Sequence, residues 1–443
     1  MSRFSGAANN ILKTTSRVGS SVLLRSLGQE SPPRACTSDA CSRATSRLTS
    51  RSRKTIWNLR VRKVCVVVTA RPSYSRIKTA LSAIRERSDL ELLLVVGASA
   101  LLDRYGNAIH VIEKDGFDIA ARVYMVLEGE NPTSMAKTTG LGMLELATVF
   151  DNLKPDVVVS VADRYETVAT ALSAAYMNIP LAHVQGGEVT GSIDEKVRHA
   201  VTKLADLHLV ASSAARERVI RMGERPETVH VTGCPSIDLA AEIEANADLG
   251  FDPIRKYGGV GEPIDLSRGY LVVMQHPVTT EYPQARAHVT ETLLAVRDLG
   301  MPALWFWPNV DAGSDGTSSG IRAYRELEKP RDLHFFKNME PTDFLRLLRG
   351  ARCLVGNSSV GIRECSYLGV PTVNIGSRQA GRDRGRNVVD VGYHRDEIRA
   401  AITRQLGSPR PEKDTLYGDG QAGARIAEAL ATAPLEIEKR LAY

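Results

Sequence analysis

From Val64 onward, short β-branched runs such as VCVVVT, DVVVSV, HLVAS and VHVTG alternate with helical stretches such as SRIKTALSAIRERS and DEKVRHAVTKLAD. This alternation constrains the fold more than any other feature of the chain. Apolar strands separated by helix-length segments imply a parallel sheet with crossover helices. Between Ala240 and Arg268 the rhythm lapses into a stretch rich in glycine, proline and charge, the composition of a linker. It then restarts, with YLVVMQ, ALWFW, LHFF, CLVGN and TVNIG as a second set of strands and AGARIAEALATA as a final helix. The expected class is α/β, with two doubly wound Rossmann-like domains facing each other across a cleft. The pattern divides the chain into a basic Ser/Arg-rich extension (1–61), a first domain (62–245), a second domain (246–399) and C-terminal helices (400–443) able to cross back to the first domain.

The net charge of +6 misleads until it is divided. Residues 1 to 60 hold nine Arg and two Lys against one Glu and one Asp, a balance of +9, so the rest of the chain carries about −3. A basic surface for nucleic acid is therefore not expected, and the excess belongs to a segment with too few large apolar residues to fold. That segment is acid-poor and rich in Ser and Arg, which fits an organelle transit peptide as well as a solvated tail. The expected location is cytoplasmic, with organelle import through residues 1–60 as the alternative. The apolar stretch from Thr167 to Ala182 is broken by Asn178 and Pro180 and preceded by Glu166, so no membrane span is expected. Six cysteines without CxxC pairs argue against a disulfide framework or a zinc site.

In open α/β sheets, ligands sit beyond the carboxyl ends of the strands, so the residues after each apolar run are the informative ones. Arg71, Arg164, His276 and Arg378 each follow a separate strand, an arrangement suited to neutralising a diphosphate from several sides. In VGNSSVGIRECSYLG a strand ends in Gly-Asn-Ser-Ser and a helix is expected to begin. Its free N–H groups, with the Ser358 and Ser359 hydroxyls, favour an anion. A serine there also serves as a plain helix cap. Glu364, one to two turns into that helix, is within reach of ribose hydroxyls or simply faces water. The stretch HVQGGEVTGSIDE gathers Glu188, Asp194 and Glu195 after another strand. No GxGxxG, GxxxxGK[ST], HExxH or GxSxG motif is present, so dinucleotide, P-loop, zincin and serine-hydrolase chemistry lose their usual support.

Taken in order, ARPSYS, ADRYE, HVQGGEVTGSIDEKVRHAVTKLAD, GCPSID, QHPVTT, PNVDAGS, GNSSVGIRE, NIGSRQAGR and YGDG resemble the hydrolysing UDP-N-acetylglucosamine 2-epimerases of sialic-acid biosynthesis. The resemblance runs from about Val64 to the C-terminus. It implies a GT-B architecture, no cofactor and no metal, a homo-oligomer (dimer or tetramer), and UDP-N-acetylglucosamine and UDP as ligands. The implied reaction expels UDP from C1 as the C2 proton is removed. Water then adds to the 2-acetamidoglucal with a proton returned to the opposite face of C2, giving N-acetylmannosamine.

Carried over by position, Asp163 and Asp194 match family carboxylates implicated in catalysis. Arg71, Ser75, Arg164, His276, Asn309, Ser358, Ser359, Glu364 and Arg378 match positions that hold UDP. The third catalytic carboxylate of the family falls on Gln185, whose amide cannot accept a proton near neutral pH. Glu188 supplies the missing carboxylate, or Asp163 and Asp194 suffice, or the site is weakened. Asp194 also fits a helix cap, Asp163 a plain ion pair, and His183 and His199 wall residues. Arg322 and Arg325 keep the three-residue spacing of an arginine pair that in the animal enzyme lies at the feedback site for CMP-sialic acid, and fit a solvated basic helix face as well. The alternatives that remain are a non-hydrolysing epimerase, a weakly active nucleotide-sugar binding protein and a GT-B glycosyltransferase.

Overall fold

The computed structural model describes residues 61–443 apart from 106, 130, 190–193, 245–247 and 309–312. The first sheet is built from β1 (Arg62–Val68), β2 (Leu90–Gly97), β3 (Ile119–Val123), β4 (Val157–Val161), β5 (Leu181–Val184), β6 (Leu207–Val210) and β7 (Val229–Val231). All pair in parallel in the order β3-β2-β1-β4-β5-β6-β7. The second holds β8 (Leu271–Met274), β9 (Ala303–Phe306), β10 (Leu333–Phe336), β11 (Cys353–Gly356), β12 (Thr372–Ile375) and β13 (Val388–Val391). These are also parallel, ordered β10-β9-β8-β11-β12-β13. The α/β expectation of two doubly wound parallel sheets holds.

The topology fixes where a site can form. Strand order reverses between β1 and β4 in the first sheet and between β8 and β11 in the second. At such a switch point the crossovers leave in opposite directions and open a crevice at the strands' carboxyl ends. The second crevice needs a glycine. Gly356, ending β11, sits at φ +132°, and a Cβ there would stand 2.1 Å from the Met274 carbonyl oxygen of β8. Only a residue without a side chain lets the two strands part so close together. Asn357 then bridges the gap, accepting from the His276 amide at 2.7 Å and donating to the His276 carbonyl at 2.9 Å.

The C-terminal helix Ala422–Thr432 packs on the helix Lys78–Arg85, so Ile426 and Leu430 share one core with Ile77, Leu81, Ile84 and the apolar face of β1. Each fully buried Leu or Ile contributes about 1.5–3 kcal/mol, which ties the chain's end to its first crossover. The tail beyond that helix continues onto the loop that precedes β7, where Lys439 reaches Glu224 at 2.6 Å and the Ala442 amide donates to the Gly223 carbonyl at 3.0 Å. Burial alone would raise the Glu224 carboxyl, but hydrogen bonds from His208, Lys203 and Lys439 outweigh it and hold it down to about 2. Among the described residues, no helix is long and apolar enough to cross a membrane.

Candidate active site

The first half delivers its residues from three strand ends. After β1, Arg71 opens the short helix Arg71–Ser75. Burial lowers its guanidinium to about 10, with Tyr257 and Glu340 opposing. Ser75 turns back on its own helix, its hydroxyl 3.4 Å from the Arg71 carbonyl. The next residue, Arg76, does more: its Nη1 lies 3.7 Å from Asp163 Oδ1 and its Nη2 donates to Ser359 Oγ of the second half at 2.9 Å. After β4 comes Asp163, 7% exposed. Arg164 follows, held by its Nε on Glu166 Oε1 at 2.7 Å.

After β5 the backbone turns sharply. Gln185 takes a left-handed conformation at φ +67°. Gly187, at φ +72°, would put a Cβ 2.3 Å from the Ala215 carbonyl, which excludes any other residue. The turn presents two side chains inward. The Gln185 amide donates to Cys234 Sγ at 2.8 Å and accepts from Arg363 at 3.3 Å. Glu188, 3% exposed, accepts on Oε2 from Arg382 at 2.8 Å and Arg363 at 3.3 Å, while its Oε1 has no partner among the described residues. Both arginines come from the second half. Burial pushes the Cys234 thiol above its ordinary range, with Arg363 pulling against it.

The helix Asp194–Leu204 enters beside this turn, with Asp194 and Glu195 in its first turn. Glu195 pairs with His199 at 2.9 Å and with Arg198 at 3.3 Å. His183, wholly buried, donates to the Ala162 carbonyl at 2.8 Å and meets Thr202 Oγ1 at 3.1 Å. Burial lowers it to about 4, so it is a neutral wall residue rather than a proton carrier.

The second half supplies His276 after β8, Asn357 to Ser359 after β11, and Ser377 to Arg384 after β12. Arg378 and Gln379 both donate to the Asn357 carbonyl, at 3.2 and 2.9 Å. The expected helix after GNSS is not there in that form. Ser358 caps a single 3-10 turn, Ser359–Gly361, and the following helix begins only at Glu364 and ends at Leu368. Glu364 is therefore a first-turn residue, 8% exposed, with Oε2 unpartnered among the described residues, not a residue one or two turns in. The dipole of so short a segment is weak. Charge comes instead from side chains, since Arg363 donates to Ser359 Oγ at 2.8 Å, the same oxygen that Arg76 reaches. Two guanidiniums on one hydroxyl have more N–H groups than it can accept, leaving donors for an anion.

Thus Arg76 and Arg363 gather Asp163, Gln185, Glu188 and Ser359 where both switch points meet, with Arg164 beside Asp163 in the chain and held on Glu166. Arg71, His276, Ser358, Glu364 and Arg378 line the surrounding strand ends. Asn309 lies outside the described residues. Arg322 is exposed on the helix Ser314–Glu328, and the Arg325 guanidinium lies 5.5 Å over the Phe335 ring. Sequence reasoning missed Arg76, Arg198, Arg363 and Arg382. For Arg198 a signal existed: it falls on the stripe with Val201 and Thr202 that the helix buries, where an unpaired charge does not belong.

Residues 82–431 match the sequence model of the family described as UDP-N-acetylglucosamine 2-epimerase. The chain belongs to that epimerase family. It is 32% identical over 381 residues to the UDP-N,N'-diacetylbacillosamine 2-epimerase (hydrolyzing) of Legionella pneumophila, covering 85% of this chain and 97% of the relative. A UDP-N-acetylglucosamine 2-epimerase of Neisseria meningitidis is 28% identical, covering 84% of this chain and 95% of the relative. The crystal structure of the Neisseria meningitidis enzyme bound to UDP-GlcNAc superposes with a TM-score of 0.69 at 17% identity, covering 83% of this chain and 99% of the other. That likeness confirms the GT-B type of fold for this member of the epimerase family.

Proposed function

We propose that the protein is a hydrolysing 2-epimerase that converts UDP-N-acetylglucosamine and water to N-acetylmannosamine and UDP, feeding sialic-acid biosynthesis. The observation that carries this reading is the interlock at the double switch point, where the Glu188 carboxylate of the first half meets the Arg363 and Arg382 guanidiniums of the second. Arg76, Arg363, Arg164 and Arg378 with Ser358 and Ser359 take the diphosphate and its charge as the C1–O bond breaks. A carboxylate on the first half removes the C2 proton in the same step. Water then adds at C1 of the 2-acetamidoglucal while a second acid returns a proton to the opposite face of C2. Asp163, Glu188 and Asp194 are the groups assigned to that traffic, because each follows a strand end or opens a helix on the first half. None of these steps calls for a redox cofactor.

The names of two relatives favour a second substrate. The Legionella pneumophila relative, and one of Campylobacter jejuni at 29% identity, are named for N,N'-diacetylbacillosamine nucleotides. One experiment separates the readings. The full chain is incubated with each UDP-sugar in deuterated water and followed by proton NMR. Free N-acetylmannosamine plus UDP, deuterated at C2, is the expected outcome. A product still attached to UDP would overturn the hydrolytic step. Turnover of the diacetylated sugar alone would transfer the proposal to that substrate.

A further inference from the structure

Arg198 is 1% exposed and sits on the inner face of the helix Asp194–Leu204. Its Nη2 forms an ion pair with Asp163 Oδ2. Its Nη1 donates to the Glu188 carbonyl at 2.8 Å and to Glu195 Oε2 at 3.3 Å. These acceptors come from three separate segments: the loop after β4, the turn after β5 and the start of the helix. A guanidinium is planar and rigid, so acceptors on both of its terminal nitrogens are held in a fixed mutual geometry. A structural ion pair would need one of these partners only. Arg198 instead links the three segments that carry Asp163, Glu188 and the Asp194–Glu195 pair.

We propose that Arg198 is the positioning residue of the acid cluster, fixing Asp163 against the Glu188 turn and the Asp194 helix start, and keeping Asp163 in its proton-accepting form. The inference rests on the epimerase reading for its kinetics but not for its geometry. Asp163 is faced by Arg198 from the helix and by Arg76 from the segment after β1. Arg164 and Glu166 pair beside it, and Glu188, Glu195, Arg363 and Arg382 lie around Arg198. Of the cations that face Asp163 among the described residues, Arg76 is farther than Arg198, at 3.7 Å, so removing Arg198 takes away the direct partner.

Two full-length variants test this, R198K and R198M, with kcat, KM and the pH profile measured on UDP-N-acetylglucosamine, UDP affinity by calorimetry and folding by Tm. Lysine keeps the charge but not the two-nitrogen span. R198K is expected to lose about 10- to 100-fold in kcat with KM, UDP affinity and the acid limb unmoved. R198M is expected to lose more, about 10²-fold or beyond, and its acid limb moves to higher pH. The proposal is overturned if both variants keep wild-type kcat, or if R198M loses UDP binding and turnover together with an unmoved pH profile. A readout independent of turnover is the 13C titration of the Asp163 carboxyl, assigned through D163N. Its midpoint rises in R198M under the proposal, and an unmoved midpoint contradicts it even if the wild type makes no product.

Discussion

Replacing Asp163 with Asn lowers kcat by about 10²–10⁴, the ordinary cost of losing a general acid or base, and leaves UDP affinity unchanged or tighter. The asymmetry has its origin in the site. Asp163 faces Arg198 and Arg76, and Arg76 also reaches Ser359, where the diphosphate is proposed to lie. Removing a negative charge beside those cations cannot weaken their hold on an anion, but an amide cannot carry the proton. Steady-state kinetics together with UDP calorimetry check this. A variant that turns over like the wild type removes Asp163 from the chemistry.

The second large effect concerns the family carboxylate position that this chain fills with Gln185. Arg363 Nη1 lies 3.3 Å from both Gln185 Oε1 and Glu188 Oε2. One guanidinium nitrogen thus brings the two side chains together, and Glu188 keeps a buried Oε1 without a partner among the described residues. A carboxylate with one oxygen anchored and the other unengaged is suited to exchanging a proton at a fixed place. Glu188→Gln is expected to cost about 10²-fold or more in kcat, with UDP affinity held because Arg363 and Arg382 remain. Gln185→Glu is expected to change kcat by less than about tenfold, since the proton-carrying role is already filled. A large gain in Gln185→Glu, with Glu188→Gln neutral, would mean that the native site lacks its third acid.

The strand plan was legible because central strands of a parallel sheet are apolar on both faces. VCVVVT, DVVVSV and CLVGN correspond to β1, β4 and β11, each fully or almost wholly buried. Two of the edge strands were not: β3 mixes partly buried and exposed positions before one buried residue, and β13 has no fully buried residue, whereas the edge strands β7 and β10 were read as VHVTG and LHFF. Strand ends then gave the candidate residues, because the switch points lie where the topology rule places them. What the pattern hid was the buried arginines. Arg363 and Arg382, 1% and 5% exposed, share a carboxylate partner, Glu188, that reaches them only when the two sheets meet. A local sequence window reads such residues as solvated charge. The turn after Ser358 was misread for a related reason. An N-cap signal marks where a helical turn starts but carries no information about its length, and here the regular helix resumes only at Glu364.

On the proposed function, both switch points address one substrate, with the diphosphate held between the Ser358 turn of the second half and Arg76 of the first, and the proton-carrying acids on the first half. A crystal structure of the full chain with UDP tests this most directly. The diphosphate is expected within hydrogen-bond distance of Ser358 or Ser359 and of Arg363 or Arg76, with Asp163 and Glu188 bordering the space beyond its terminal phosphate. Nucleotide bound away from the Ser358 turn, or a terminal phosphate directed away from both acids, would contradict it.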